Sequence, residues 1–253
     1  MWGDIAIAFM IAFMTAFMAT PHTINLANKV GAVDEPKDER RINKVTMPRL
    51  GGLAVIAGFF VSIVYLLIVM VMENKINLYE ESYNLKLMGF GIGALIIGVA
   101  CFIDDVKGVS ALGKLFAQVL AAVIVVKSGI RIDTLDIPFF NIANASSTFY
   151  TLLTVVWIVG ITNAMNLIDG LDGLSTGISL IACMSLLIIF SLNGSPLISI
   201  VLITALGGAL CGFLPYNFNP AKTFIGDTGS NFLGYCLSII SILGIAKTYT
   251  AIV

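Results

Sequence analysis

The chain reads GFGIGALIIGVACFIDD from residue 89 to residue 105, an apolar run that ends on two adjacent aspartates. With its flanks, such a run approaches the roughly 20 apolar residues that a helix needs to cross a membrane. Of the 253 residues, 58% are hydrophobic and 11% are charged, whereas soluble domains have about 25% charged residues. The mean hydropathy is +0.98. The sequence therefore predicts an integral membrane protein and excludes a disordered chain, a collagen-like fibre, a disulfide scaffold or a nucleic-acid binder.

Eight apolar runs predict an all-α fold, a polytopic bundle of about eight transmembrane helices in a single domain of residues 1–253. The runs cover residues 4–24, 50–72, 86–103, 111–127, 148–165, 177–192, 197–215 and 230–249. The fourth run is the weakest candidate for a membrane span. It crosses the membrane only if its helix begins near Leu112 and the Lys114 side chain extends to the membrane surface. The four cysteines lie singly inside apolar runs, which predicts buried thiols.

Lysine and arginine are unevenly divided between the loops that these eight runs define. One side has nine, namely Lys29, Lys37, Arg40, Arg41, Lys44, Arg49, Lys107, Lys114 and Lys222, and the other has Lys75, Lys86, Lys127 and Arg131. The positive-inside rule places the first side in the cytoplasm and the N-terminus outside. Four dense polar segments, residues 40–52, 104–114, 163–173 and 217–230, share the cytoplasmic side. We therefore expect the functional loops there.

Asp104 and Asp105 end the third apolar run, where charged groups are costly to desolvate. One explanation is an interfacial anchor. Adjacent carboxylates repel each other, however, and are expected where a cation or a transferable proton compensates them. The pair therefore favours a functional role.

The fifth run continues into the polar stretch NAMNLIDGLDG, residues 163–173. On a helix, Asn163, Asn166 and Asp169 fall along one face, and Asp172 and Gly173 begin the following loop. Asparagines also serve as polar contacts between membrane helices. Two aspartates and two glycines in the same eleven residues favour a cation or substrate site instead.

A third polar stretch, residues 217–231, precedes the last run. Asp227 with Thr228 is compatible with a simple helix N-cap, but Phe224 adds a flat apolar ring beside a carboxylate, which suits a ligand with a base and a phosphate. Oxygen and amide groups without His or Cys favour a hard cation, Mg²⁺ first and Mn²⁺ as an alternative. Basic residues on the same side are available for phosphate oxygens: Lys44, Arg49, Lys107, Lys114 and Lys222.

In this order the segments resemble the polyprenyl-phosphate N-acetylhexosamine-1-phosphate transferases, glycosyltransferase family 4. The matching motifs are MPRLGG (47–52), DDVK (104–107), NLIDGLDG (166–173) and FNPAKTFIGDTGS (218–230). They look closer to the bacterial branch that initiates teichoic-acid and O-antigen synthesis than to the muramyl-pentapeptide branch. The resemblance implies transfer of N-acetylglucosamine-1-phosphate from UDP-GlcNAc, a UDP-N-acetylhexosamine, to undecaprenyl phosphate with release of UMP, at the cytoplasmic face of a bacterial cell membrane.

The same resemblance implies roles for individual residues. Asp104 and Asp105 would be catalytic, beside the attacking lipid phosphate, and Asn166 and Asp227 would hold Mg²⁺ against the diphosphate. Phe224 would stack on uracil and Asp172 would contact its edge. The other implied substrate-binding residues are Lys44, Lys114, Asn163, Asp169 and Asn217.

Two other classes of protein and one departure from the family pattern bear on this interpretation. A transporter would use intramembrane Asp and Asn, and an intramembrane aspartyl protease would need an Asp pair on two helices. Members of the family usually continue into a loop with a histidine-rich motif, which predicts that a chain ending at Val253 is C-terminally incomplete. The oligomeric state is open, and a homodimer through the glycine-rich third run is a testable hypothesis.

Overall fold

The computed structural model describes residues 2–35, 45–73, 81–133, 136–137, 140–141 and 146–245, which form eight α-helices and two short antiparallel strand pairs. The helices are α1 (Trp2–Val30), α2 (Gly51–Met72), α3 (Glu81–Lys107), α4 (Ala111–Lys127), α5 (Ser147–Ile168), α6 (Leu174–Leu192), α7 (Leu197–Asn217) and α8 (Gly226–Ile245). The strands are β1 (Val33–Asp34) paired with β2 (Met47–Pro48), and β3 (Asp136–Ile137) paired with β4 (Phe140–Asn141).

Within the described residues, each predicted apolar run corresponds to one helix, so the prediction of a helical bundle is confirmed; residues 246–249 of the last run lie outside the described residues. Six helices, α1, α2, α3, α5, α6 and α7, are long and apolar enough to cross a membrane within the described residues. The other two are α4, with 17 residues, and α8. The structure therefore supports a multi-pass membrane protein with six candidate spans, and the predicted count of about eight is not confirmed.

Helix α7 forms the centre of the bundle and is buried along almost its whole length. It packs against α1, α2, α6 and α8, which explains why it is apolar on all faces. At Gly208 and Gly212 the backbone of α1 approaches so closely that a Cβ atom would overlap the carbonyl oxygens of Phe9 and Phe13. The outer helices expose Met and other large apolar side chains, as a lipid-facing surface requires.

Glycines of the third run serve packing inside the chain. A Cβ at Gly89 would overlap the side chain of Ser128, which directly follows α4, and one at Gly93 would overlap Tyr235 on α8. The Tyr235 hydroxyl donates a hydrogen bond to the Phe90 carbonyl at 2.8 Å. This close packing brings the end of α3 to the start of α8.

The MPRLGG segment is joined to the loop that precedes α8 by backbone hydrogen bonds. Phe224 N–H donates to the Pro48 carbonyl at 2.8 Å, and Gly51 N–H donates back to the Phe224 carbonyl at 3.0 Å. Gly52 N–H donates to the Ile225 carbonyl at 2.8 Å. Two motifs that are about 170 residues apart in the sequence therefore form one unit at this end of the bundle.

Candidate active site

Four helices bring five polar side chains together at one end of the bundle, and we call this group the acidic cluster: Asp104 and Asp105 from α3, Lys114 from α4, Asn166 from α5 and Asp227 from α8. Lys114 Nζ lies 2.8 Å from Asp104 Oδ2 and 3.0 Å from Asp227 Oδ2. Asn166 Nδ2 donates to Asp227 Oδ1 at 2.8 Å and to Ser230 Oγ at 2.9 Å. Residues from three of the four polar segments, 104–114, 163–173 and 217–230, therefore meet at this end of the bundle.

Lys114, expected from the sequence both at the membrane surface and in the substrate pocket, lies inside the acidic cluster. Its side chain turns into the cluster and is 24% exposed. Carboxylates that leave water need a counter-charge, and this ammonium bridges one carboxylate from α3 and one from α8. Because those partners are distant in sequence, the local pattern around Lys114 did not reveal them.

Asp105 caps helix α8 from a neighbouring helix. Its Oδ1 accepts from Asp227 N–H at 3.0 Å, and its Oδ2 accepts from Thr228 N–H at 2.8 Å and from the Thr228 hydroxyl at 2.6 Å. The first N–H groups of a helix need such acceptors, and a negative charge is favourable there. The cap therefore comes from Asp105, whereas the sequence had suggested Asp227 with Thr228.

Arg49 closes the other side of this arrangement. Its Nε lies 3.4 Å from Asp105 Oδ1, and its guanidinium donates to the backbone carbonyls of Asp105 and Asp104 at 3.3 and 3.4 Å. Those carbonyls belong to the last turn of α3, where a cation is favourable. Arg49 therefore holds the C-terminal turn of α3, and Asp105 in that turn holds the start of α8.

Asp104 and Asp227 differ in their surroundings. Asp104 Oδ1 accepts from Val109 N–H at 2.6 Å, so this carboxylate also closes the turn between α3 and α4. Burial raises the pKa of Asp227, but hydrogen bonds from Asn166 and Lys114, together with the Lys114 charge, outweigh it and lower that pKa below its usual range. Asp227 is therefore ionised at neutral pH and can hold a cation.

Asp169 follows the last turn of α5 and accepts a hydrogen bond from Ser175 Oγ at 2.6 Å. Burial and the charges of Asp227 and Asp105 raise the pKa of Asp169 to about 6, against the opposing effect of Ser175. Asp169 is therefore close enough to the cluster to sense its charge.

Asp172, Asn217 and Phe224 shape the loops beside the cluster. Asp172 Oδ2 accepts from Asn219 Nδ2 at 3.0 Å and from Ala221 N–H at 3.1 Å, which ties the α5–α6 loop to the α7–α8 loop. Asn217 is buried, donates to the Thr223 carbonyl at 3.0 Å and accepts from the Thr176 hydroxyl at 2.6 Å. Phe224 is half-buried. Asn217 thus supports the loop that carries Phe224.

The remaining predicted residues lie elsewhere. Asn163 is one turn away from the cluster and contacts Gln118. Lys44 lies outside the described residues. Lys107 is exposed, and Lys222 Nζ lies 5.9 Å from the centre of the Tyr216 ring. Within the described residues, Lys114 is therefore the lysine that enters the cluster.

Sequence reasoning missed Gln118, Ser230 and Asn231, which contact the predicted residues. One signal was available, because Gln118 is a polar amide inside the apolar run 111–127, and polar groups in membrane helices have a cost that requires a partner. Ser230 and Asn231 follow Asp227 by about one helical turn, and their contacts become evident only once α8 is known to begin at Gly226.

The donor set is compatible with a hard cation. The described residues contain no group of three His, Cys, Asp or Glu side chains arranged to hold a metal ion. Asp227 and Asn166 offer a carboxylate and an amide side by side, with Asp104 on the far side of Lys114. Mg²⁺ typically takes one or two protein carboxylates and completes its shell with waters and substrate phosphates. The Asp227 carboxylate and the Asn166 amide oxygen are ligands of the type that Mg²⁺ takes together with a phosphorylated substrate.

Comparisons with known proteins identify the family of the chain. Residues 87–245 match the family model for glycosyl transferase family 4. The chain is 38% identical over 97% of its length to a probable undecaprenyl-phosphate N-acetylglucosaminyl 1-phosphate transferase of Bacillus subtilis, and spans 64% of that protein. It is 35% identical over 94% of its length to a decaprenyl-phosphate N-acetylglucosaminephosphotransferase of Mycobacterium tuberculosis, spanning 60% of it. It is also 35% identical over 92% of its length to a phospho-N-acetylmuramoyl-pentapeptide-transferase of Staphylococcus epidermidis, spanning 74% of it.

Proposed function

The chain belongs to glycosyl transferase family 4, and on that basis we propose that it transfers N-acetylglucosamine-1-phosphate from UDP-GlcNAc to undecaprenyl phosphate, releasing UMP. The observation that carries the proposal is the acidic cluster, in which Lys114 lies between the carboxylates of Asp104 and Asp227. The names of the Bacillus and Mycobacterium relatives support N-acetylglucosamine as the sugar. The product would initiate a cell-wall or surface polysaccharide.

The reaction forms a bond from an oxygen of the lipid phosphate to the sugar-bearing phosphorus, and the bond from that phosphorus to UMP breaks. Transfer of this kind depends mainly on positioning and on neutralising charge at the phosphate oxygens. Mg²⁺ held by Asp227 and Asn166 would supply part of that neutralisation. Lys114 supplies a further positive charge, while Asp104 orients its ammonium. The lipid phosphate is already ionised at neutral pH, so no strong base is needed.

The surroundings of the cluster suit an acceptor with an isoprenoid chain. Ile103, Leu112, Phe116 and Leu167 are next to or near cluster residues in sequence and have exposed side chains. Apolar side chains of this kind can contact a lipid tail while the phosphate reaches Lys114. The polar loops between α5 and α6 and between α7 and α8 lie open to a water-soluble donor.

A second candidate is transfer of the phospho-muramoyl-pentapeptide, which the Staphylococcus relative supports.

A transporter is less compatible with the site, because transporter sites lie near the membrane midplane and this cluster lies at helix ends. An aspartyl protease needs two aspartates free to act on a peptide, whereas Asp105 uses both carboxylate oxygens to cap α8.

The test is UMP release by the purified, detergent-solubilised protein with undecaprenyl phosphate, UDP-GlcNAc and Mg²⁺, and with EDTA as the control. Release that needs both the lipid and Mg²⁺ supports the proposal, and release with the UDP-muramoyl-pentapeptide alone supports the second candidate. A protein that turns over no UDP-sugar contradicts both.

A further inference from the structure

Three side-chain amides lie one helical turn from the acidic cluster, and we call them the amide layer: Gln118 from α4, the half-buried Asn163 from α5 and Asn231 from α8. Asn163 Nδ2 donates to Gln118 Oε1 at 2.6 Å, and Gln118 Nε2 donates to Asn231 Oδ1 at 2.8 Å. Gln118 is 3% exposed and Asn231 is 1% exposed. Because both are buried, these amides depend on one another for hydrogen bonds.

The amide layer lies on three of the four helices that carry the acidic cluster, and each of its residues is one turn from a cluster residue on the same helix. Residues three or four positions apart lie above one another on a helix. The pairs are Lys114 with Gln118, Asn166 with Asn163, and Asp227 with Asn231. A shift of one helix against another that breaks the amide layer therefore also moves the cluster residue one turn away.

Backbone carbonyls determine the direction of each hydrogen bond in the layer. Asn163 Nδ2 also donates to the Val159 carbonyl at 2.8 Å, and Asn231 Nδ2 donates to the Asp227 carbonyl at 2.9 Å. A carbonyl oxygen only accepts, so both asparagines turn their nitrogens toward their own helices. The oxygen of Asn231 then faces Gln118, which must donate to it while accepting from Asn163. A side-chain amide meets both demands, and a hydrocarbon meets neither.

We propose that Gln118 is a positioning residue for the transfer reaction, which holds α4 and α8 in the register at which Lys114 meets Asp227. The inference rests on the proposed function. Gln118 acts through the two asparagines, since its nitrogen and oxygen are both engaged within the amide layer. A displacement of about 1 Å in a reacting group can lower turnover by about 10²-fold, so a small change of register is sufficient.

The first test is Gln118→Met, which keeps the length of the side chain and removes both hydrogen-bonding atoms. We expect kcat for UMP release to fall by about 10²-fold and the KM for UDP-GlcNAc to change by less than about threefold. Thr154→Val is the matched control, because Thr154 is buried on α5 and its hydroxyl accepts from Ile132 N–H at 3.1 Å. Thr154 precedes Asn163 by about 13 Å of helix, so its variant should keep wild-type kcat.

The second test is Gln118→Glu. This substitution keeps the shape of the side chain, but the new carboxyl group can donate a hydrogen bond only when it is protonated. A protonated carboxyl donates and accepts like the amide, whereas an ionised one only accepts and faces the oxygen of Asn231. The direct neighbours are neutral amides. The charged groups of the adjoining cluster and loop are Lys114 on α4, Asp104 and Asp105 on α3, Asp169 after α5 and Asp227 on α8. We expect the activity relative to wild type to be higher at about pH 5.5 than at about pH 8.5.

The outcomes separate the two proposals. Wild-type protein without lipid-dependent UMP release overturns the proposed function, and the positioning role with it. Active wild type with unchanged kcat in Gln118→Met overturns the positioning role alone. An equal loss in Thr154→Val, or a Gln118→Glu variant whose relative activity does not change with pH, also overturns it, because either result reduces Gln118 to a general contributor to packing.

Discussion

Asp105, for which the family resemblance implies a catalytic role, also positions another element of the site. Its side chain is 1% exposed, and three hydrogen bonds connect it to the first turn of α8. This turn carries Asp227. The position of Asp227 therefore depends on a carboxylate more than 120 residues earlier in the chain.

Asp105→Asn should lower UMP release by more than about 10²-fold while the helices remain folded by circular dichroism. The substituted amide turns a donor toward the N–H groups of Asp227 or Thr228, and an unsatisfied buried donor costs about 1–3 kcal/mol. Thr228→Val is the graded control, since it removes only the hydroxyl bond, worth about 1 kcal/mol. Near-normal turnover in Asp105→Asn would refute this role for the cap.

Asp169 provides a prediction about pH. Its pKa of about 6 is above the ordinary value of 3.8, so the folded protein holds this proton more tightly than the unfolded chain does. The stabilisation is present below the ordinary pKa and is lost as pH rises through about 6. The midpoint of thermal unfolding should therefore fall relative to that of Asp169→Asn between about pH 4 and about pH 7. Parallel curves for the two proteins would contradict the prediction.

At the scale of elements, the helices could be predicted and their contacts could not. Apolar runs are a local signal, and each run indicated its helix, although helices such as α1 and α3 extend beyond the runs into polar residues. The contact of Lys114 with Asp227 joins residues 113 positions apart. No local pattern encodes such a contact. The two-residue strands were missed because they are too short for a hydrophobic period to appear.

The close approach of α2 to α8 leads to a prediction about how these two helices pack. A Cβ at Gly52 would overlap the backbone of Gly229 and approach the Ile225 carbonyl at 2.8 Å, so Gly52→Ala should move α2 away from the loop before α8. Overpacking of this kind costs about 1–3 kcal/mol and should also lower UMP release. Gly91→Ala on α3 is the matched control, because its Cβ would meet no atom within 4 Å. Its helix should gain about 0.5–1 kcal/mol.

Thermal unfolding of both variants and UMP release measured at the same protein concentration check this contrast. A Gly52→Ala protein as stable and active as Gly91→Ala would show that the close approach of α2 to α8 is not needed.

At the scale of the whole molecule, the acidic cluster lies at one end of the bundle, and the sequence predicts that this end faces the cytoplasm. Helix α5 tests the orientation directly, because its 22 residues extend about 33 Å, enough for the hydrocarbon core of about 30 Å. Thr148 near its start and Leu171 just after its end are both exposed. The two positions should therefore lie on opposite sides of the membrane.

Thr148→Cys and Leu171→Cys should respond oppositely to a membrane-impermeant maleimide added to intact bacterial spheroplasts. Thr148→Cys should be labelled at once, and Leu171→Cys only after permeabilisation, because the cluster and the UDP-sugar pool would share the inner side. The native cysteines give little background, since Cys101, Cys183 and Cys236 are buried and Cys211 is half-buried. Labelling of Leu171→Cys in intact spheroplasts would invert the predicted orientation and place the cluster on the side without nucleotide sugars, which the proposed reaction does not allow.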